Sequence, residues 1–228
     1  MASSWPESLW IIRHGESAAN AASQAAEASG SLEVALVTRD MDTPLSPRGE
    51  AQATALGRRV ACYDQLPTVI LASPYVRTRQ TAALLCAELP GQNRPRILYD
   101  ERLRERERGV FDGLTKKGVA EFIPQESAKR AFLGKFYHRA PGGESWCDVV
   151  QRLRAVVDRV LIRHPGERVM IIAHEVVIYC LRYILEDMDE AQILAIDAEG
   201  DIANCSVTEY RADAASGRLG LARFNDVG

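Results

Sequence analysis

The sequence predicts an α/β fold: a three-layer α/β/α sandwich with a mostly parallel sheet and an antiparallel edge strand. Three observations carry that expectation. Residues 8–12, 69–71 and 169–173 are short, continuously apolar runs, as expected of strands buried on both faces. Each run is followed by a segment of helical composition. Residues 203–210 and 219–224 flank a glycine-containing turn and read as a hairpin.

In chain order, the first strand stops at Arg13-His14-Gly15, and an Ala-rich helix follows over residues 18–28. Residues 30–43 have no period and read as a loop. Ser46-Pro47 places a capping hydroxyl before a proline at the first helical position, starting a helix that runs to about Cys62. Ala53, Leu56, Val60 and Ala61 are its expected inward residues. Ser73-Pro74 reads as the same device after the second strand, and Arg96-Ile97-Leu98 is a further candidate strand. Residues 102–108 are densely charged and read as a solvated loop, and 115–140 as helical but poorly periodic. Beyond Pro141-Gly142-Gly143, Val149, Val150, Leu153, Val156, Val157, Val160 and Leu161 follow the 3.6-residue period of a helix, which His164-Pro165-Gly166 ends. A nearly all-apolar helix over 176–185 follows the strand at 169–173. No repeat or linker interrupts the chain, so one domain over residues 1–228 is expected.

The bulk properties exclude several functions. A net charge of −3, with Arg and Lys scattered, argues against a nucleic-acid or anionic-membrane binder. Residues 1–7 lack a basic stretch followed by an apolar block, and the apolar stretch 169–185 is broken by His174, Glu175 and Arg182, so a soluble, cytoplasmic protein is expected. The five cysteines are far apart, without a CxxC pair, and read as reduced core residues.

In such sheets ligands bind beyond the carboxyl ends of the strands, where Arg13-His14 and His174 both fall. Gly15 permits close backbone approach, and a new helix offers unpaired amides and a positive dipole end to an anion. Arg13 carries a planar fork matched to phosphate oxygens, and His14 is positioned to attack phosphorus through a neutral ring nitrogen. Arg77 lies in the first turn after Ser73-Pro74, whereas Arg79 is about 200° further round a helix.

The string RHGES, with Asn20 following, resembles the start of the histidine phosphatase superfamily, in its phosphoglycerate mutase-like branch. Four more blocks resemble that family in the expected order: PLSPRGEAQATALG (44–57), SPYVRTRQTA (73–82), LRERERGVFDG (103–113) and MIIAHEVV (170–177). The resemblance implies that His14 carries the phosphoryl group, Arg77 binds phosphate, Glu105 donates the proton and His174 is the second histidine, completing a cationic cage with Arg13 and Arg77. It implies no cofactor and no metal, and no ligand spacing suggests zinc. His138 and His164 match nothing catalytic; His164 suits a helix C-terminus.

Residues 141–154 and 173–185 most resemble the bisphosphatase domain of the bifunctional fructose-2,6-bisphosphate enzymes and small phosphatases like it. Lys135 and Arg139 fall near positions of basic substrate contacts, and Ser17, Asn20 and Glu175 complete the expected substrate-side set. Two departures matter. Glu175 stands where the family commonly has Gly or Gln, and Tyr179 where the sugar-bisphosphatase pattern has arginine. Both oppose a second phosphate, so a mono-phosphorylated substrate is expected. Glu175 then holds His174 protonated, binds a substrate hydroxyl or amine, or complements the N-terminus of its helix.

The expectation is a phosphomonoester hydrolase acting on a small phosphorylated metabolite, with no nucleic-acid or membrane partner; a homodimer is compatible with the sequence. The alternatives are mutase-type transfer, which the short segment between Gly113 and Pro141 disfavours, and a non-catalytic phosphate-binding protein, which has no need for Glu105.

Overall fold

Central strands buried on both faces set the architecture. In the computed structural model, which describes residues 5–91, 94–213 and 218–228, the strands are β1 (Ser8–Arg13), β2 (Val69–Ala72), β3 (Arg96–Tyr99), β4 (Arg168–Ala173), β5 (Val207–Asp213) and β6 (Arg218–Asp226). They form one sheet in the order β3-β2-β4-β1-β5-β6. The first four in that order are parallel neighbours, while β5 runs antiparallel to β1 and β6 antiparallel to β5. The sandwich with an antiparallel edge is therefore the observed fold.

Among the described residues eight α-helices accompany the sheet: α1 (Ala18–Ser29), α2 (Pro47–Ala61), α3 (Val76–Glu88), α4 (Lys116–Phe122), α5 (Pro124–Tyr137), α6 (Trp146–Arg163), α7 (Glu175–Leu185) and α8 (Glu190–Glu199). Leu9, Ile11, Val69, Leu71, Val169 and Ile171 point to one face and pack on α6 and α7. Trp10, Ile12, Ile70, Ala72, Met170 and Ile172 point to the other and pack on α2 and α3. These two apolar cores anchor the strand ends that build the site.

Several local expectations are corrected. Ser73 does not cap α3, which starts at Val76 with Tyr75 at the cap position and no side-chain cap bond. Pro74 biases the residue before it toward extended backbone, so the chain leaves β2 before turning. The stretch 115–140 forms two helices, because Pro124 has no amide to continue α4 and instead opens α5. Helix α8 was unforeseen, and β5 begins at Val207 rather than Ala203. The turn expected between the hairpin strands, at 214–217, and the inward side chain of Leu161 lie outside the described residues. Cys86, Cys180 and Cys205 are buried, but Cys62 is exposed rather than core. Among the described residues no helix is long and apolar enough to cross a membrane.

Candidate active site

Register brings the two histidines together. Arg13 pairs with Ala173 across β1 and β4, so His14 and His174 leave adjacent parallel strands at one level. Their ring centroids are 5.1 Å apart, at 65°. Ser73 leaves β2 beside them, with its Oγ 2.8 Å from His174 Nε2. The hydroxyl expected to cap a helix thus serves a histidine.

His14 is buried, and its Nδ1 lies 2.6 Å from the carbonyl oxygen of Gly15. A carbonyl only accepts, so Nδ1 carries the proton and Nε2 keeps its lone pair. Arg77 Nε donates to that Nε2 at 3.2 Å, which requires the same tautomer. Burial, and then the charges of Arg77 and Arg13, hold the His14 pKa well below 6.5. The ring is therefore neutral and nucleophilic at physiological pH. His174 is neutral for the same primary reason, burial, reinforced by Arg77. A fully buried imidazole beside arginines resists protonation, so the cationic form expected of His174 is disfavoured while the site holds no phosphoryl group. His14 lines the cavity and His174, fully buried beside it, does not.

Arg77 itself is buried in the first turn of α3, whereas Arg79 is exposed and stacks on Tyr99. The rest of the Arg77 fork is held by Asp40, through the backbone oxygen at 2.6 Å and the carboxylate at 3.0 and 3.2 Å. Glu105 lines the same cavity, a hollow of about 190 Å³, with Arg13, His14 and Arg77. Burial raises its pKa above 4.5, outweighing the Arg106 amide and the charge of Arg77. The site therefore joins an unprotonated nucleophile to a carboxyl biased toward its acid form.

The RHGES segment is fixed by the blocks that follow it. Cβ atoms built on Gly15 and Gly49 would lie 2.5 Å from Gly49 O and 2.0 Å from Glu16 O respectively, so two glycines let β1's exit press against α2. Glu16 accepts from Ser46 Oγ at 2.7 Å, and its amide donates to Gln52. The expectation that Gly15 and α1 offer unpaired amides to an anion is corrected for Gly15 and for all but one amide of the first turn, that of Ala19, which lines the cavity. Gly15 N donates to Thr81 Oγ1, Ser17 N to Asn20 Oδ1, Ala18 N to Pro44 O and Asn20 N to Ser17 Oγ. The close approach is protein on protein.

Of the expected substrate contacts, Ser17 and Asn20 line the cavity while closing the capping box of α1. Glu175 lines it too, but its carboxylate binds Arg13 at 3.3 Å and accepts the Ile202 amide at 3.0 Å. It does not hold His174 protonated. Burial raises the Glu175 pKa despite Arg13. Lys135 and Arg139 lie outside the cavity lining. Lys135 binds Asp197 of α8 at 2.5–2.6 Å, and Arg139 the carbonyl of Gly143 at 3.2 Å and Asp148 at 3.5 Å. An unforeseen helix supplied the carboxylate that draws Lys135 away. Tyr179 is buried, with its hydroxyl on Gly200 O at 2.7 Å, so the missing arginine at that position says nothing about the cavity.

Sequence reasoning missed Ser73, Tyr75, Asp40, Arg106 and Asn204. Tyr75 packs edge-on against His174 at 5.1 Å and donates to Glu107 at 3.3 Å, and Asn204 Nδ2 donates to His14 O at 2.8 Å. Ser73, Tyr75 and Arg106 lie within the matched blocks, which are a signal for them; Asp40 and Asn204 carry no local signal. Among the described residues no cluster of three His, Cys, Asp or Glu side chains is arranged to hold a metal.

The profile described as the histidine phosphatase superfamily (branch 1) matches residues 9–226. A protein named probable phosphoglycerate mutase GpmB, from Serratia proteamaculans (strain 568), is 31% identical over 175 residues, covering 76% of this chain and 72% of that protein. The structure of YhfR from Bacillus stearothermophilus superposes with a TM-score of 0.76 at 27% identity, covering 97% of this chain and 98% of that one. A mycobacterial glucosyl-3-phosphoglycerate phosphatase solved with VO3 superposes with a TM-score of 0.70 at 26% identity, covering 96% and 99%.

Proposed function

This chain belongs to the histidine phosphatase superfamily, branch 1, and from that premise we propose that it is a phosphomonoester hydrolase acting on a small phosphorylated metabolite through a phosphohistidine on His14. Membership fixes the coarse chemistry as hydrolysis or transfer of a phosphoryl group. The observation that carries the finer reading is the His14 tautomer. Its Nδ1 proton is committed to Gly15 O, so the lone pair is on Nε2, where it accepts from Arg77 Nε until a phosphoryl group takes that fork, in the cavity that Glu105 also lines.

In the first displacement His14 Nε2 bonds to phosphorus as the ester P–O bond breaks, and Glu105 gives its proton to the leaving oxygen. An alkoxide is too basic to depart unprotonated, and such general acids supply about 10²–10⁴-fold in rate. Water then attacks the phosphohistidine, Glu105 takes the water proton, and the N–P bond breaks to release phosphate. Arg13 and Arg77 offset charge on the equatorial oxygens. The phosphoryl group reaching Arg77 competes with Asp40 for the fork, and its negative charge supports a protonated His174 where burial alone disfavours one.

The test is a labelling experiment with a radiolabelled phosphomonoester. An acid-labile, base-stable label is expected on the wild-type protein and is lost in His14→Ala; label retained by that variant overturns the assignment. Relatives named probable phosphoglycerate mutases favour a second reading, phosphoryl transfer. Conversion of 3-phosphoglycerate to 2-phosphoglycerate without phosphate release would select it.

A further inference from the structure

The peptide groups on either side of Gly15 are pinned by side chains from distant parts of the chain. The His14–Gly15 peptide gives its N–H to Thr81 Oγ1 at 3.1 Å, and its oxygen accepts from Asn204 Nδ2 at 2.8 Å. The oxygen of the Gly15–Glu16 peptide accepts from His14 Nδ1 at 2.6 Å, and its N–H donates to Gln52 Oε1 at 2.8 Å. Gln52 lies three residues beyond Gly49 on α2, on the helix face that Gly49 presses against Gly15 and Glu16. It does not line the cavity onto which His14 opens.

An amide N–H only donates, so Gln52 presents its oxygen to Glu16. Three hydrogen bonds then run head to tail: Arg77 Nε–H to His14 Nε2, His14 Nδ1–H to Gly15 O, and Glu16 N–H to Gln52 Oε1. Bonds in such a chain polarise one another. Drawing the Glu16 proton toward Gln52 makes Gly15 O a better acceptor. A better acceptor for the Nδ1 proton leaves more electron density on Nε2, because the bond made at one imidazole nitrogen sets the state of the other.

Resting on the reading of His14 as the nucleophile, we propose that Gln52 is a positioning residue: it orients and polarises the Gly15–Glu16 peptide, and through that peptide holds His14 in the tautomer that attacks phosphorus. Gln52 makes no contact with the reacting atoms. Thr81 and Asn204 fix the adjoining peptide, and Thr81 Oγ1 also donates to Arg77 O at 2.7 Å, so the nucleophile and the phosphate-binding arginine share one frame. Of these three side chains, Gln52 is the one on the peptide that receives the imidazole proton.

The groups that face His14 are Arg77 with its partner Asp40, Arg13 with Glu175, Glu105 in the same cavity, and His174 alongside. Substitution at position 52 leaves all of them in place. Gln52→Met keeps the length of the side chain and removes the acceptor. Gln52→Glu strengthens the acceptor, and Arg48 and Arg59, which line the same hollow as Gln52, offset its charge. Gln52→Met is expected to lower kcat/KM on p-nitrophenyl phosphate about 5–10-fold, the worth of one hydrogen bond, while Gln52→Glu retains most of it. On the acid side kcat/KM falls as His14 gains a proton. That limb moves to higher pH in Gln52→Glu, where the imidazolium is better supported, and to lower pH in Gln52→Met. An equal loss in both variants with the limb unmoved would make Gln52 a packing residue and overturn the proposal.

Proton NMR of the protein carrying isotope-labelled histidine needs no turnover. The His14 Nδ1 proton, identified by its absence in His14→Ala, is expected at low field in the wild type. It moves further downfield in Gln52→Glu and upfield in Gln52→Met. A resonance that neither variant moves overturns the proposal; if Gln52→Met does not fold, an unmoved resonance in Gln52→Glu is sufficient. The expected shifts without phosphate release from any phosphomonoester would count against the hydrolase reading and leave the role of Gln52 in holding the tautomer intact.

Discussion

The segment 100–108 contributes to two charge clusters that differ in how completely their charges are matched. On one side, Asp100 is buried and bound by Arg102 at 2.7 and 2.9 Å and by Arg159 at 2.8 Å. Glu144 is bound by Arg104 at 2.8 Å and by Arg152 at 2.9 Å. Burial pushes both carboxyls up, but the arginine hydrogen bonds outweigh it and hold both below their usual range. On the other side, Glu105 is pushed above its usual range by burial. Among the described residues the Arg106 guanidinium makes no hydrogen bond or ion pair, and Arg13 Nε and His174 Nδ1 are buried without hydrogen bonds. The residue types are the same and the neighbours adjoin in sequence. Where every charge is met, the cluster binds the 100–104 segment to α6; where charges are left over, the cluster is poised for a ligand.

Replacing the proposed acid gives the largest contrast. Glu105→Gln is expected to lower kcat/KM on alkyl monophosphates about 10²–10⁴-fold and far less on p-nitrophenyl phosphate, whose leaving group departs unprotonated. The sign of the pH dependence follows. The first step needs the acid form, so wild-type kcat/KM declines as pH rises through the raised Glu105 pKa, and Glu105→Gln abolishes that limb. The acid limb, set by protonation of His14, falls well below pH 6.5. A pH–rate profile unchanged by Glu105→Gln removes Glu105 from the mechanism.

Arg77→Met comes next, with a loss of about 10–100-fold in kcat/KM, the worth of charge-assisted bonds to phosphate. Arg77→Lys should restore little, because an ammonium lacks the fork that reaches His14 and the phosphoryl group together. Full restoration would reduce Arg77 to a point charge.

The matched cluster should respond in the opposite currency. Asp100→Asn is expected to cost about 2 kcal/mol of stability, measured by denaturant unfolding, while kcat stays near wild type. Glu105→Gln, in contrast, should leave stability equal or higher. If the two variants destabilise alike, the distinction between the clusters fails.

The smallest effect expected is a gain. Asp40→Asn weakens a half-exposed competitor for the Arg77 fork, so KM should fall about 2–5-fold at low salt, in keeping with the modest worth of such pairs. A rise in KM would instead make Asp40 a support for the substrate-binding form of Arg77.

The layers, most of the strands and the place where the chemistry gathers were legible along the chain. Apolar runs of strand length ended at His14 and His174, and parallel strands of equal reach must release such residues side by side. The spacing of Arg77 from the end of β2 was equally legible, because helical geometry is local. Partnership was decided only by tertiary structure. Ser73 reads as a cap until β2 and β4 align it with His174, and Lys135 reads as a substrate contact until α8 brings Asp197 to it. Asp40 and Asn204 carry no local pattern; one is claimed by Arg77 and the other by the His14 carbonyl, and both outcomes depend on what the packed chain leaves within reach. Periodicity and strand ends follow from neighbours along the backbone, whereas burial, and with it the charge on a histidine or a glutamate, is set by atoms far away in sequence.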